Sequence, residues 1–234
     1  MKPGSPLFLW LSVIVVRLVT PSLVAQEMEI LTLITTNARL QPAIETVPPH
    51  NATVLWNGRD LTGWKSFFTN ANVDVSTVWL ATNGALRLSG RPFGYLHTQN
   101  SFSNYHLHVE WRWPVTNGNS GVFVHFDGVD AIWPVSVECQ LGTGSAGELI
   151  GLGGVDFPAP TLNNRKRAKI VSSHEKPLGE WNAYDIYCRS NTITVDVNGF
   201  RKNTIDNVSV SSGGIGLQLE GQVIEFRNIW LEPI

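Results

Sequence analysis

At 234 residues, with 15% charged and 10% aromatic residues, the chain is long enough for one domain with a sizeable core, and all-β domains commonly reach this size. A formal net charge of −2 and a pI of about 6.3 leave no global basic field, which excludes nucleic-acid binding driven by overall charge. Two cysteines, with neither C-x-x-C spacing nor a Cys/His cluster, exclude a thiol redox centre and a zinc finger.

Residues 1–25 read as an export signal: Lys2 gives a short positive region, Leu7 to Val16 an apolar run, and Ser22-Leu23-Val24-Ala25 a cleavage site before Gln26. The run is short and Arg17 interrupts it, so no stable membrane span is expected after cleavage, and the mature chain is expected to be periplasmic or extracellular. Residues 26–51 have weak periodicity, end near Pro48-Pro49 and read as a linker or N-terminal arm, with the domain proper at 52–234.

From there the chain alternates strand patterns with turn chemistry. Val78 to Ala81 and Ala85 to Leu88 flank Asn83-Gly84, a pair that accepts the positive φ angles of a tight hairpin. In Tyr105 to Trp113, Leu107, Val109, Trp111 and Trp113 fall on one face and His106, His108, Glu110 and Arg112 on the other, the period of a half-buried strand. His106 and His108 share a face, which is compatible with metal binding and equally with ordinary polar positions. After the sharp Asn117-Gly118-Asn119-Ser120-Gly121 loop comes a strand around Val122 to Phe126.

The stretch Trp133 to Leu141 carries the functional expectation. Val135, Val137, Cys139 and Leu141 alternate with Ser136, Glu138 and Gln140, so a carboxylate and an amide project side by side from one sheet surface, just after Trp133. An aromatic ring beside such groups suits a sugar, whose C–H face stacks while its hydroxyls need donors and acceptors. The Gly-rich excursion from Gly142 to Gly154 and the run to about Pro177 read as loops at a cleft rim, and the basic cluster Arg165-Lys166-Arg167-Ala168-Lys169 as a solvated loop. Asn198-Gly199 predicts a second tight hairpin, and Gly221-Gln222 a third, which would bring Gln218 and Glu220 back near Glu225 and Arg227. Cys139 and Cys188 fall on apolar strand faces, as a bridge or as two buried free thiols. Many short strands with few helices predict an all-β fold, an antiparallel β-sandwich of jelly-roll type.

Leu55-Trp56-Asn57-Gly58, Leu61-Thr62-Gly63-Trp64, Gly118-Asn119-Ser120-Gly121-Val122, Glu138 with Gln140, Gly179-Glu180-Trp181-Asn182, Val197-Asn198-Gly199 and Gly216-Leu217-Gln218 with Glu225-Phe226-Arg227-Asn228-Ile229 together resemble the 3-keto-disaccharide hydrolase domain family, in a style similar to its planctomycete branch. The resemblance implies a concanavalin A-like lectin/glucanase fold and a glycoside already oxidised to a ketone at C3, cleaved by elimination or hydrolysis. Such a route needs a base at C2, stabilisation of an enolate oxygen and a proton for the leaving group. For that chemistry Glu138, Glu220 and Arg227 are the expected catalytic groups: Glu138 and Arg227 match the family's strands, with Glu138 as base or acid, while Glu220, its expected partner, stands where the family often has a histidine. The expected substrate-binding groups are Gln140 and Gln218 for hydroxyls, Trp133 for stacking, His125 beside developing charge, and Glu110. A purely structural account instead pairs Arg227 with Glu110 or Glu225. No cofactor is expected, although His125, Glu138 and Glu220 would suit a divalent metal if they met. The expected partner is a carbohydrate, not nucleic acid, and nothing in the sequence sets an oligomeric state. The competing classes are a non-catalytic carbohydrate-binding module and an envelope interaction domain of the same fold.

Overall fold

The computed structural model describes residues 47–158 and 165–234, so the export signal and most of the arm lie outside the described residues. In chain order the strands are β1 (Thr53–Val54), β2 (Trp64–Phe68), β3 (Trp79–Thr82), β4 (Ala85–Leu88) and β5 (Gly94–Thr98). Then come β6 (Tyr105–Arg112), β7 (Gly121–Phe126), β8 (Ser136–Gln140), β9 (Leu149–Leu152) and β10 (Lys166–Arg167). The last five are β11 (Asn182–Arg189), β12 (Thr192–Val197), β13 (Phe200–Ile205), β14 (Gly214–Leu219) and β15 (Ile224–Pro233). A 3-10 turn at Val75–Thr77 is the one helical element among the described residues.

The strands form two antiparallel sheets. One has the order β13-β12-β11-β6-β15-β4-β3, with β1 paired to β15, and the other runs β10-β9-β8-β7-β14-β5-β2. The jelly-roll sandwich expected from the alternation is the observed architecture.

The alternation has a direct energetic cause. Leu107, Val109 and Trp111 of β6 and Tyr184, Ile186 and Cys188 of β11 face inward from the first sheet, and they meet Val122, Val137, Cys139, Ile215 and Leu217 of the second in one continuous core. Burying each large apolar side chain there is worth about 1.5–3 kcal/mol, so a one-residue slip of any of these strands would forfeit several such contributions. Cys139 and Cys188 come from different sheets and are both free and buried.

Two turns match expectation. Asn83 and Gly84 (φ 49° and 77°) join β3 to β4, and Asn198 and Gly199 (φ 52° and 80°) join β12 to β13. The third does not form a hairpin. Between β14 and β15 the chain passes from one sheet to the other, so Gly221 and Gln222 make a corner, held where the Gly221 N–H donates to Gly90 O at 2.8 Å. The Gly142 to Gly154 stretch is likewise not all loop, since Leu149–Leu152 adds β9 beside β8.

Candidate active site

Glu138 sits mid-strand in β8, flanked by β7 and β9, with Val137 and Cys139 directed into the core and Glu138 therefore outward. On this outer face Phe123 and Ile150 are its cross-strand neighbours, and with Tyr95, Phe126, Leu152 and Phe67 they make a second apolar cluster, separate from the core. The carboxylate lies over Gly121. A Cβ there would stand 2.5 Å from Glu138 Oε1 and 2.6 Å from its Cγ, so only glycine leaves the hollow that the side chain occupies.

Glu138 is 3% exposed, and its Oε1 is buried without a hydrogen-bond partner. Burial, reinforced by the charge of Glu220, pushes its pKa up to about 8, so at neutral pH it holds its proton. A cleft of about 240 Å³ opens beside it, lined by Asn119, Trp133, Glu138, Gln140, Ile150, Leu152, Arg165 and Glu220.

Each polar member of the lining has a local reason for its place. Gln140 projects from the same face two residues after Glu138, and its Oε1 accepts from the Gly142 N–H at 2.6 Å, which fixes the amide. Glu220 follows the last residue of β14 and is bridged to Asn119, so the 117–121 loop and the end of β14 hold both at one edge of the cleft. Trp133 is carried by the loop between β7 and β8. That loop is latched to the sheet by Tyr95, whose hydroxyl lies 3.1 Å from Asp130 Oδ1 and accepts from the Ala131 N–H at 3.2 Å. Trp133 meets Phe93 edge to face at 5.2 Å between centroids and is 50% exposed, the posture of a rim aromatic rather than a core one.

Four of the eight sequence-predicted residues, Trp133, Glu138, Gln140 and Glu220, are thus brought together. Gln218 is on the same sheet face but is fully buried and does not line the cleft. The register carries it to the position beside Gly121, the glycine under the Glu138 carboxylate, and neither atom of its amide has a partner.

The other three are elsewhere. His125 is directed into the core, 6.1 Å from the Tyr105 ring, with 0% exposure and no partner for either ring nitrogen. The cause is a β-bulge. From Phe123 to Phe126 the strand takes three steps while its partner takes two, Gly216 to Gly214, and His125, at φ 55°, is turned inward. Burial lowers its pKa to about 4, so it is neutral, and the His125–Glu138–Glu220 metal set is not assembled. Among the described residues no group of three or more His, Cys, Asp or Glu is arranged to hold a metal ion.

Arg227 and Glu110 lie on the outer face of the other sheet, across the core from the cleft, because β15 belongs to that sheet. There Arg227 Nε donates to Glu110 Oε2 at 2.6 Å and Asn228 Nδ2 to Glu110 Oε1 at 3.0 Å. Although burial would raise the Glu110 pKa, the His108 ring 3.7 Å away and the hydrogen bonds from Asn228 and Arg227 bring it down to about 2. His106 and His108 join the same network, each bonded to Asp185 Oδ1, at 2.9 and 2.8 Å. For His108, burial opposes protonation, yet the bond to Asp185 and the nearby Glu110 carboxylate, 3.7 Å from its Nε2, outweigh it and raise the pKa to about 9. The arrangement matches the structural account of Arg227 and Glu110 rather than a catalytic one.

Sequence reasoning missed Asn119, Ile150, Leu152 and Arg165. Asn119 sat in a loop noted for its turn chemistry and its family resemblance with no role given to the side chain, and Arg165 in a basic cluster that resembles any solvated loop.

A family model described as the 3-keto-alpha-glucoside-1,2-lyase-like domain matches residues 51–232. The chain belongs to that family, and so to a carbohydrate-active class of proteins. Among solved structures, a presumptive glycosyl hydrolase of Parabacteroides distasonis is 23% identical with a TM-score of 0.58, over 78% of this chain and 99% of that one. A second from the same organism is 17% identical with a TM-score of 0.60, over 80% and 98%. The carbohydrate-binding module CBM66 of Bacillus subtilis is 12% identical with a TM-score of 0.53, over 73% and 95%. These likenesses concern the fold. No curated protein matches the chain.

Proposed function

We propose that the protein is a lyase that cleaves 3-keto-glucosides by elimination across C1 and C2, with Glu138 as general acid and Glu220 as general base. The observation that carries this reading is the buried Glu138 carboxyl at the cleft, unpartnered at Oε1 and still protonated at neutral pH. A buried acid next to a more exposed carboxylate is how two chemically identical groups are assigned opposite roles.

In the step proposed, Glu220 takes the C2 proton, made acidic by the C3 ketone. The electron pair of that C–H bond passes first into the enolate and then into a C1=C2 double bond as the bond from C1 to the aglycone oxygen breaks. The aglycone oxygen takes the Glu138 proton and leaves as an alcohol, and the sugar is left as a 1,2-unsaturated 3-ketone. Glu220 then gives up the proton it took and Glu138 regains one by exchange with water, so the pair is reset and nothing is oxidised or reduced. Arg165 and Asn119 supply donors for the enolate oxygen, Gln140 orients a hydroxyl, and Trp133 stacks on the sugar ring. The export signal read in residues 1–25 supports a place of action outside the cytoplasm.

The test is release of the aglycone from a panel of 3-keto-glucosides, with unoxidised glucosides alongside. Release confined to the ketones, with an enone absorbance appearing in step, is expected. Sugar binding with no release from any substrate would place the chain with the carbohydrate-binding modules instead.

A further inference from the structure

On the face opposite the active site, three arginines are assembled for which the lyase chemistry has no use. Arg87 of β4, Glu225 of β15 and Arg112 of β6 form one cross-strand row, because Glu225 is the register partner of both arginines. The Glu225 carboxylate, 4% exposed, spends one oxygen on each: Arg87 Nη1 donates to Oε1 and Arg112 Nε to Oε2, both at 2.7 Å. Arg227, two residues on, uses its Nε for Glu110. Trp181, which precedes β11, lies flat against two of them, with the guanidinium carbons of Arg112 and Arg227 at 4.6 and 4.3 Å from its ring centroid.

The carboxylates therefore hold Arg112 and Arg227 by their Nε sides, and the indole fixes the planes of both groups. Apart from a long 3.4 Å contact from Arg112 Nη1 to Gly179 O, the terminal nitrogens of these two have no hydrogen-bond partner among the described residues. The Nη1–Nη2 edge is the part of a guanidinium that matches an oxyanion with two parallel hydrogen bonds. These edges border a cleft of about 470 Å³, within the ~300–1,000 Å³ usual for small-molecule sites. Thr82 and Asn83, from the β3–β4 hairpin, face the same space with a hydroxyl and an amide. Three guanidinium groups meet one carboxylate in the lining, and Glu110 engages only Arg227, so the cleft is net positive.

We propose that this cleft is a second binding site, for a sugar acid: a uronate whose carboxylate is gripped by the arginines and whose hydroxyls reach Thr82 and Asn83. A bare inorganic anion would leave Thr82, Asn83 and most of the volume unused. The site lies across the core from Glu138, so a chain of an acidic polysaccharide could be held on one face while cleavage proceeds on the other.

Calorimetric titration of the full chain with glucuronate and tetragalacturonate, alongside glucose and inorganic sulfate at matched ionic strength, tests this. Uronates are expected to bind, glucose not to bind, and sulfate to bind at least about tenfold more weakly than the uronates. Arg87→Gln is the informative variant, because Arg87 is the most exposed of the three and Glu225 keeps its bond to Arg112. It should weaken uronate binding about tenfold or more and leave release of aglycone from neutral substrates unchanged. Thr82→Val, which leaves every ion pair in place, should weaken uronate but not sulfate. Uronate binding that survives both variants, or sulfate binding as tight as uronate, would overturn the assignment.

Discussion

Replacing Glu138 by Gln removes one proton donor and almost nothing else. The side chain keeps its volume in the hollow above Gly121, and a neutral amide replaces a carboxyl that is already uncharged at pH 7, so the fold should be unaffected. If Glu138 delivers the proton to the departing oxygen, the rate with an alkyl aglycone should fall by about 10²–10⁴, the usual contribution of general acid catalysis. An aglycone that leaves without help, such as 4-nitrophenol, should lose less than about tenfold, because proton donation contributes little to its departure. A pKa of about 8 also fixes the wild-type pH profile. The required form is roughly 91% populated at pH 7 and roughly 9% at pH 9, so the rate should decline about tenfold over that interval. In Glu138→Gln the decline should vanish. The assay is initial-rate release of both aglycones from matched 3-keto-glucosides between pH 6 and 9.5. Equal losses for the two leaving groups, with a rate that climbs through pH 8 in the wild type, would reverse the assignment and make Glu138 the base at C2.

Gly121→Ala should test the hollow directly: its Cβ would displace the Glu138 carboxylate, and kcat should fall about 100-fold while the circular dichroism spectrum is unchanged. Trp133→Ala should raise KM by about tenfold with little change in melting temperature, since the ring is half exposed at the cleft rim rather than packed in the core. His125 gives an acid-stability prediction. Its folded pKa of about 4 lies below the unfolded 6.5, so the unfolded chain binds the extra proton and stability is lost as pH falls from 6.5 toward 4, by about 3 kcal/mol at most. His125→Asn, a residue that tolerates positive φ, should flatten that part of the urea-denaturation profile, and an unchanged slope would show that His125 is not the group responsible.

The legible part of the site follows from period 2. Val137 and Cys139 must be inside, so Glu138 and Gln140 must be outside, and the same alternation put Leu107, Val109 and Trp111 in the core. What escaped depends on single-residue events that hydrophobic patterning does not mark. One extra residue in β7 turns His125 from the expected outer face to the core. Gly221-Gln222 reads as a hairpin turn, yet Leu219 and Ile224 on either side are both core residues of different sheets, and the chain crosses between them. That crossing is what separates Arg227 from Gln218. Arg165 comes from a segment with no periodicity, and only its position across β9 shows that it reaches the cleft.

The Tyr95 latch has a consequence for how such a site can diversify. Glu138 is locked on both sides by hydrogen-bonded strands, whereas Trp133 rides on a loop held to the sheet by the Tyr95 contacts of Asp130 and Ala131 and by its own edge contact with Phe93. Recognition and reaction are therefore carried by parts with different mechanical tolerance. Substitutions confined to the exposed positions 127–129 and 132 leave the Tyr95 contacts, the Trp133 ring and the strand that carries Glu138 in place, so a library there varies the rim of the cleft at little risk to the carboxyl beside it.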